Sequence, residues 1–276
     1  MHCSLHTLFS SSFFSPFSSE GRTRLGRAGA TVLLLLLLTS VAAGTLRAQS
    51  RSSTDYTVRY RTTLDYRSFE TKHFEFFFPA GADTTTALFR DALTRSFDDT
   101  RSIVGADTED FRLPVVVDPR AGGANGFVSL SNFRTHLFTA HPTGNFSSKF
   151  RSWPQAVAPH ELTHAMHLET DSGVGVGGLA GLFSSDYSRL IYGLEPLGWI
   201  EGIAVYRESE IVPDAGRLNA PTATMRYRAA VGSDDPWSLG ELLYYGRFER
   251  PTDRHYIGGG QLVEYLVEQK GDTDFI

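Results

Sequence analysis

His160 and His164 stand four residues apart in the run His160-Glu161-Leu162-Thr163-His164, and this spacing constrains the fold more than any other feature of the chain. On a helix, four residues are one turn, so both imidazoles project from one face toward a common point. Val157, Leu162, Ala165, Met166 and Leu168 give such a helix apolar surface to bury. Pro159 either starts the helix at its first turn or kinks a longer one, because it has no N–H to donate to the residue four back. Two imidazoles in this arrangement suit a zinc ion, which wants a third protein ligand and leaves its fourth position to water. Glu161, next to the first histidine, can then reach that water as a general base.

The third ligand has two sequence candidates. His167 is nearest, but it lies two turns beyond His160, about 10 Å along a straight helix axis. That is too far to share one ion, so His167 is expected to pack or to support a ligand. Glu201, in Gly198-Trp199-Ile200-Glu201-Gly202-Ile203-Ala204-Val205-Tyr206, opens a second helical stretch. A carboxylate beside Trp and Ile would be costly to bury unless it were paired or bound to metal. Gly202 allows another helix to come close, and Ile203 and Ala204 can face inward.

Composition removes several competing classes of function. The only cysteine is Cys3, so neither a disulfide framework nor a thiolate metal site fits the body of the chain. The net charge is −5, and the part beyond residue 48 is more acidic still, because Arg22, Arg24, Arg27 and Arg47 precede it with a single acid, Glu20. An acidic body repels phosphate backbones and gives no reason to expect nucleic acid or anionic membrane as partner. Arg22, Arg24 and Arg27 lead into an apolar run, Ala28 to Ala43, that contains Leu33 to Leu38 and ends in small residues. This is the pattern of a secretory signal peptide over residues 1–48, with export to the periplasm or beyond; if uncleaved, it is a membrane anchor.

After a linker and first strand over 49–70, alternating Phe74, Phe76 and Phe78 read as a strand. A helix follows from Asp83 or Thr84 to about Val104, with Leu88, Ala92, Leu93, Ser96, Phe97 and Val104 as its buried stripe and Gly105 as its stop. Leu113 to Val117, Phe127 to Leu130 and Thr135 to Ala140 are further strands, the last a possible open edge for an extended peptide. From Gln155 onward the signals are helical, broken by glycines from Gly173 to Gly181. Strand, helix, several strands and then helices make an α+β chain: an N-terminal mixed sheet with a helix, then a mostly helical lobe.

HELTH followed by W-x-E-G-x-A-x-Y resembles the gluzincin metallopeptidases, the thermolysin-like and aminopeptidase N-like clan. Within it the chain looks most like secreted bacterial peptidase domains that precede a TolB-type β-propeller. Tyr256-Ile257-Gly258-Gly259 is similar to the Y-x-x-G helix of the aminopeptidase-like members, whose tyrosine stabilises the tetrahedral intermediate. The resemblance covers residues 71–276 and implies a zincin-like fold with the active-site helix between the two lobes. It further implies one zinc per chain on His160, His164 and Glu201, Glu161 and Tyr256 as catalytic groups, and a peptide or protein substrate. His255 is a weaker candidate for the task of Tyr256, and Tyr265 reads as core. Three departures qualify the likeness. Ile200 stands where aminopeptidase-like members have Asn. Ser172 to Ser185 is a Gly-rich insertion placed to line or cover the cleft. Gly122-Gly123-Ala124-Asn125-Gly126 lacks the carboxylate that binds a substrate's free amine, which favours an endopeptidase. The domain is also expected to continue beyond residue 276, where gluzincins carry further helices.

Overall fold

The computed structural model describes residues 63–105, 109–143, 152–170, 176–211, 216–244 and 253–271. The proposed signal segment, 1–48, and most of the linker lie outside these residues. Strand β1 (Tyr66–Glu70) and strand β2 (Phe74–Pro79) form an antiparallel hairpin in which Phe69 faces Phe76. Helix α1 (Asp83–Val104) then crosses to β3 (Leu113–Asp118), which pairs parallel with β2. Strand β4 (Gly126–Ser129) turns back into β5 (Arg134–Phe138). The sheet order is β1-β2-β3-β5-β4.

That order corrects one expectation. β5 is not an edge: it lies between β3, to which it is parallel, and β4, to which it is antiparallel. The short return through residues 130–133 folds β4 outside β5, so β4 is the edge strand on this side of the sheet, as β1 is on the other.

One face of the sheet presents Phe74, Phe76, Phe78, Leu113, Val115, Val117 and Leu137, all buried, to α1 and to helix α2 (Trp153–Glu169). Burial of each such side chain contributes about 1.5–3 kcal/mol, which fixes the sheet against both helices. On α1 the buried stripe is Phe89, Ala92, Leu93, Ser96, Phe97, Thr100 and Val104. Leu88 is half exposed, contrary to expectation, because Phe89 rather than Leu88 continues the Ala92/Leu93 to Ser96/Phe97 rows at three- and four-residue steps. Gly105 ends the helix at φ 67°, a left-handed conformation that favours glycine, and its N–H donates to Arg101 O.

The helical part comprises α3 (Val176–Gly181), α4 (Ser185–Tyr192), α5 (Leu197–Ile211), α6 (Pro221–Val231), α7 (Leu239–Leu243) and α8 (Arg254–Lys270). The architecture is thus α+β, an N-terminal mixed sheet followed by helices. A second apolar cluster of Ile203, Val205, Tyr206, Leu218 and Val263 joins α5 to α8. Tyr265 does not join it: at 56% exposure it lies on the outer face of α8. Among the described residues no helix is long and apolar enough to cross a membrane.

Candidate metal centre

Helix α2 carries the two-histidine motif through the middle of the molecule. Its start is pinned by the Trp153 indole, which donates to Phe138 O at 2.7 Å, and Pro154 occupies the first turn, where its missing N–H costs nothing. Pro159 lies inside the helix rather than at its first turn. From Ala156 to Leu168 every residue is buried. His160 and His164 therefore sit in a wall between sheet and helices rather than on a solvated face.

The opposite wall is α5. Gly198 and Gly202 face Gly259 of α8 so closely that a Cβ on Gly202 would fall 2.5 Å from Gly259 C, and one on Gly259 would fall 1.9 Å from Gly198 O. Only glycine permits this approach, and it brings Glu201 and Tyr256 to the same side of α2. His160 Nε2 and His164 Nε2 lie 3.2 Å apart, and each lies 3.3 Å from Glu201 Oε2. Among the described residues this is a group that could hold a metal ion.

The donor set fits that role. Tetrahedral bonds of about 2.0–2.1 Å require ligand atoms roughly 3.3–3.4 Å apart, the spacing seen here. Glu201 Oε2 is buried without a hydrogen bond of ordinary geometry, as a ligand atom would be. Burial pushes the Glu201 carboxyl upward, but the His164 and His160 imidazoles outweigh it and hold the group well below the usual range. At His160, burial and the charge of Arg217 act downward, yet the Glu201 and Glu208 carboxylates beside its two ring nitrogens raise the ring to about 9.

Two charged residues at this centre were not found from sequence. Glu208, two turns beyond Glu201 on α5 and 2% exposed, places Oε2 3.1 Å from His160 Nδ1. A carboxylate on the far nitrogen fixes the ring's tautomer and orientation and leaves Nε2 as the ligand atom. Glu208 in turn is held by Arg217, whose backbone N–H donates to Oε1 at 2.9 Å and whose Nε lies 3.5 Å from the same oxygen. The Arg217 guanidinium also lies over the Tyr256 ring, 4.7 Å from its centroid. The loop bearing Arg217 is clamped to the end of α5. Gly216, at φ +85°, would place a Cβ 2.6 Å from Ser209 Cα, Leu218 N–H donates to Ser209 Oγ, and Asn219 Nδ2 donates to Ser209 O.

The remaining sequence candidates fall as follows. Glu161 is 5% exposed and faces the cleft; burial pushes its carboxyl upward against the downward pull of His160 and His164. A Cβ on Gly126 would fall 2.7 Å from Glu161 Cγ, so edge strand β4 passes directly over this side chain. Tyr256 lines the same cleft, its ring centroid 6.5 Å from that of His160. Burial and the neighbouring Glu201 carboxylate push its hydroxyl well above the ordinary phenol range. His255 is buried with its ring 4.4 Å from that of Tyr256 and does not line the cleft. His167 turns away from the triad, with Nε2 3.6 Å from Glu195 Oε2; burial and then the charge of His164 push it down to about 4, so it is neutral at physiological pH.

The cleft over the triad has a volume of about 310 Å³. Phe127, Val128 and Leu130 from the β4 side and Leu168, Gly193 and Ile200 from the helices give it apolar walls. Gly193 lies beyond the 172–185 segment that was expected to line or cover the cleft, at the far end of α4. Within that segment residues 172–175 lie outside the described residues, and α3 does not line the cleft. Comparison of the chain with protein-family models and with curated protein sequences gives no match.

Proposed function

We propose that the chain is a zinc-dependent peptidase of the gluzincin type, exported from the cell, with endopeptidase activity favoured. The observation that carries this reading is the triangle of His160 Nε2, His164 Nε2 and Glu201 Oε2, with edges of 3.2–3.3 Å, which lines a cleft together with Glu161. Three protein donors leave a coordination place open, whereas a structural zinc site is closed by a fourth. His167, the nearest further imidazole, turns away from the triad toward Glu195.

When bound, zinc supplies a Lewis acid able to bring the pKa of a coordinated water toward about 7. Glu161 takes the proton of the attacking water and passes it to the leaving amine; the upward push on its carboxyl suits a base working near neutral pH. Tyr256, on the α8 side of the cleft, donates its hydroxyl hydrogen to the carbonyl oxygen of the substrate as negative charge gathers there. Glu208, held by Arg217, keeps the His160 ring in the ligating tautomer. The free edge of β4, next to Glu161, pairs with the backbone of an extended peptide. The absence of a carboxylate in residues 122–126 leaves a free substrate amine without a partner there and supports internal cleavage.

A quenched-fluorescence peptide mixture tests this reading. Hydrolysis should appear with the zinc-loaded chain, vanish with a chelator and return with added zinc. Glu161→Gln should keep its zinc and hydrolyse nothing. Zinc-loaded protein that cleaves no peptide in a broad mixture would refute the reading.

A further inference from the structure

Arg217 reaches two parts of the centre with one side chain. Its Nε lies 3.5 Å from Glu208 Oε1, and its guanidinium carbon lies 4.7 Å from the centroid of the Tyr256 ring. The side chain is 15% exposed and lines the cleft together with Glu161, Glu201 and Tyr256. Burial pushes the guanidinium down, but the Glu208 carboxylate outweighs it, so the group keeps its charge.

Both of its partners need holding from the side. Glu208 is 2% exposed, and a buried carboxylate is costly unless a cation faces it. Tyr256 is the third residue of α8 and so lies in the first turn, where helices fray. Its backbone N–H donates to Asp253 O, which sets the turn but not the ring. The loop that carries Arg217 is itself fixed to Ser209 at the end of α5, so the guanidinium is aimed from a secured base.

We propose that Arg217 is the positioning residue that couples the metal centre to the oxyanion donor: one guanidinium orients Glu208, and through it His160, while holding the Tyr256 ring in the wall of the cleft. The role at Tyr256 rests on the peptidase reading, whereas the coupling itself does not. Arginine is suited to this task and lysine is not. A guanidinium spreads its charge over a plane, so it can face a carboxylate with Nε and a ring with its carbon. An ammonium is a point charge that serves one of the two. Leaving a buried carboxylate alone is the more destabilising choice, so a lysine at 217 should stay with Glu208 and release Tyr256.

Arg217→Lys in the full chain tests this by three readouts. Zinc affinity, by chelator competition, should stay within about threefold of wild type, because Glu208 keeps a cation and the His160 ring keeps its partner. In zinc-loaded protein carrying tyrosine isotope-labelled at Cζ, the NMR resonance of Tyr256 is identified by its loss in Tyr256→Phe. That resonance should shift in Arg217→Lys as the ring loses the guanidinium. Peptide hydrolysis should lose at least about tenfold in kcat with KM unchanged. In the Tyr256→Phe background the further loss should be under about twofold, because both changes then remove the same donor. Arg217→Met/Glu208→Gln, which removes both buried charges together, should bind zinc as Glu208→Gln does. An unshifted Tyr256 resonance, a kcat loss undiminished in the Tyr256→Phe background, or a double variant that binds zinc more weakly than Glu208→Gln would overturn the proposal. A rise in KM at unchanged kcat would also overturn it, by making Arg217 a substrate contact. A chain that hydrolyses no peptide refutes the peptidase reading, while the zinc and resonance readouts still decide the coupling.

Discussion

Glu208 holds the far nitrogen of the ring whose near nitrogen faces Glu201: Oε2 lies 3.1 Å from His160 Nδ1, while His160 Nε2 lies 3.3 Å from Glu201 Oε2. Loss of such an outer carboxylate costs typically about 10–100-fold in metal affinity. Glu208→Ala should weaken zinc by that factor, measured by competition with a chromophoric chelator. Glu208→Gln, which can still accept from the ring, should lose less. Equal affinity in all three proteins would mean that the ring is positioned by α2 alone.

Tyr256 should act on the reaction rather than on the metal. A hydrogen bond that strengthens only as charge develops raises kcat and leaves ground-state binding nearly unchanged. Tyr256→Phe should keep zinc and KM and lose about 10²–10³ in kcat. The ring also packs beneath Arg217, and a merely packing role would let Phe substitute without loss of rate.

Much of the centre was legible in the sequence because its ligands sit on two helices with regular spacing. His160, Glu161 and His164 are fixed by one turn of α2, and Glu201 was marked by an acid in an apolar helical run. Glu208 carried the same signal, an acid seven residues on in the stretch Ile203 to Ser209, which is buried throughout. It was missed because its partner, Nδ1 of His160, lies on another helix. Arg217 could not have been found at all, since it comes from a loop placed by Gly216 and Ser209 through tertiary contacts. The strand order had the same difficulty. Alternation identified β4 and β5 as strands, but which of them forms the edge depends on where the chain returns.

The three-glycine run of α8 is explained by the helix contact it permits. Alanine at 259 would gain about 0.8–1.0 kcal/mol in helix propensity, yet its Cβ would fall 1.9 Å from the Gly198 carbonyl oxygen. A backbone contact that close forces α5 and α8 apart, and such overpacking costs about 1–3 kcal/mol or more. Gly259→Ala should therefore lower the urea midpoint, and it should weaken zinc binding because Glu201 moves with α5.

Without metal, the cluster should make stability fall as pH rises. The His160 ring is raised from about 6.5 to about 9 in the folded chain. Its contribution is therefore complete below about 6.5 and is lost as pH climbs through about 9, a change of up to about 3 kcal/mol. Glu161, pushed up by burial, adds to the decline from lower pH. Glu201 and Glu208 act oppositely, because lowered carboxyls lose their contribution as pH falls below about 4.5. Urea unfolding of chelator-treated protein at pH 6 and pH 9.5 should show the lower midpoint at pH 9.5. Zinc should remove that difference, since coordination needs the deprotonated Nε2.

The most direct measurement is the number of zinc ions per chain, by elemental analysis after equilibration with zinc and removal of the excess. A ligand triad of His160, His164 and Glu201 predicts one zinc in the wild type and in Glu161→Gln. It predicts none in Glu201→Ala or His160→Ala, with both variants still folded. A wild type that retains no zinc, or a Glu201→Ala variant that keeps its full complement, would contradict the metal centre.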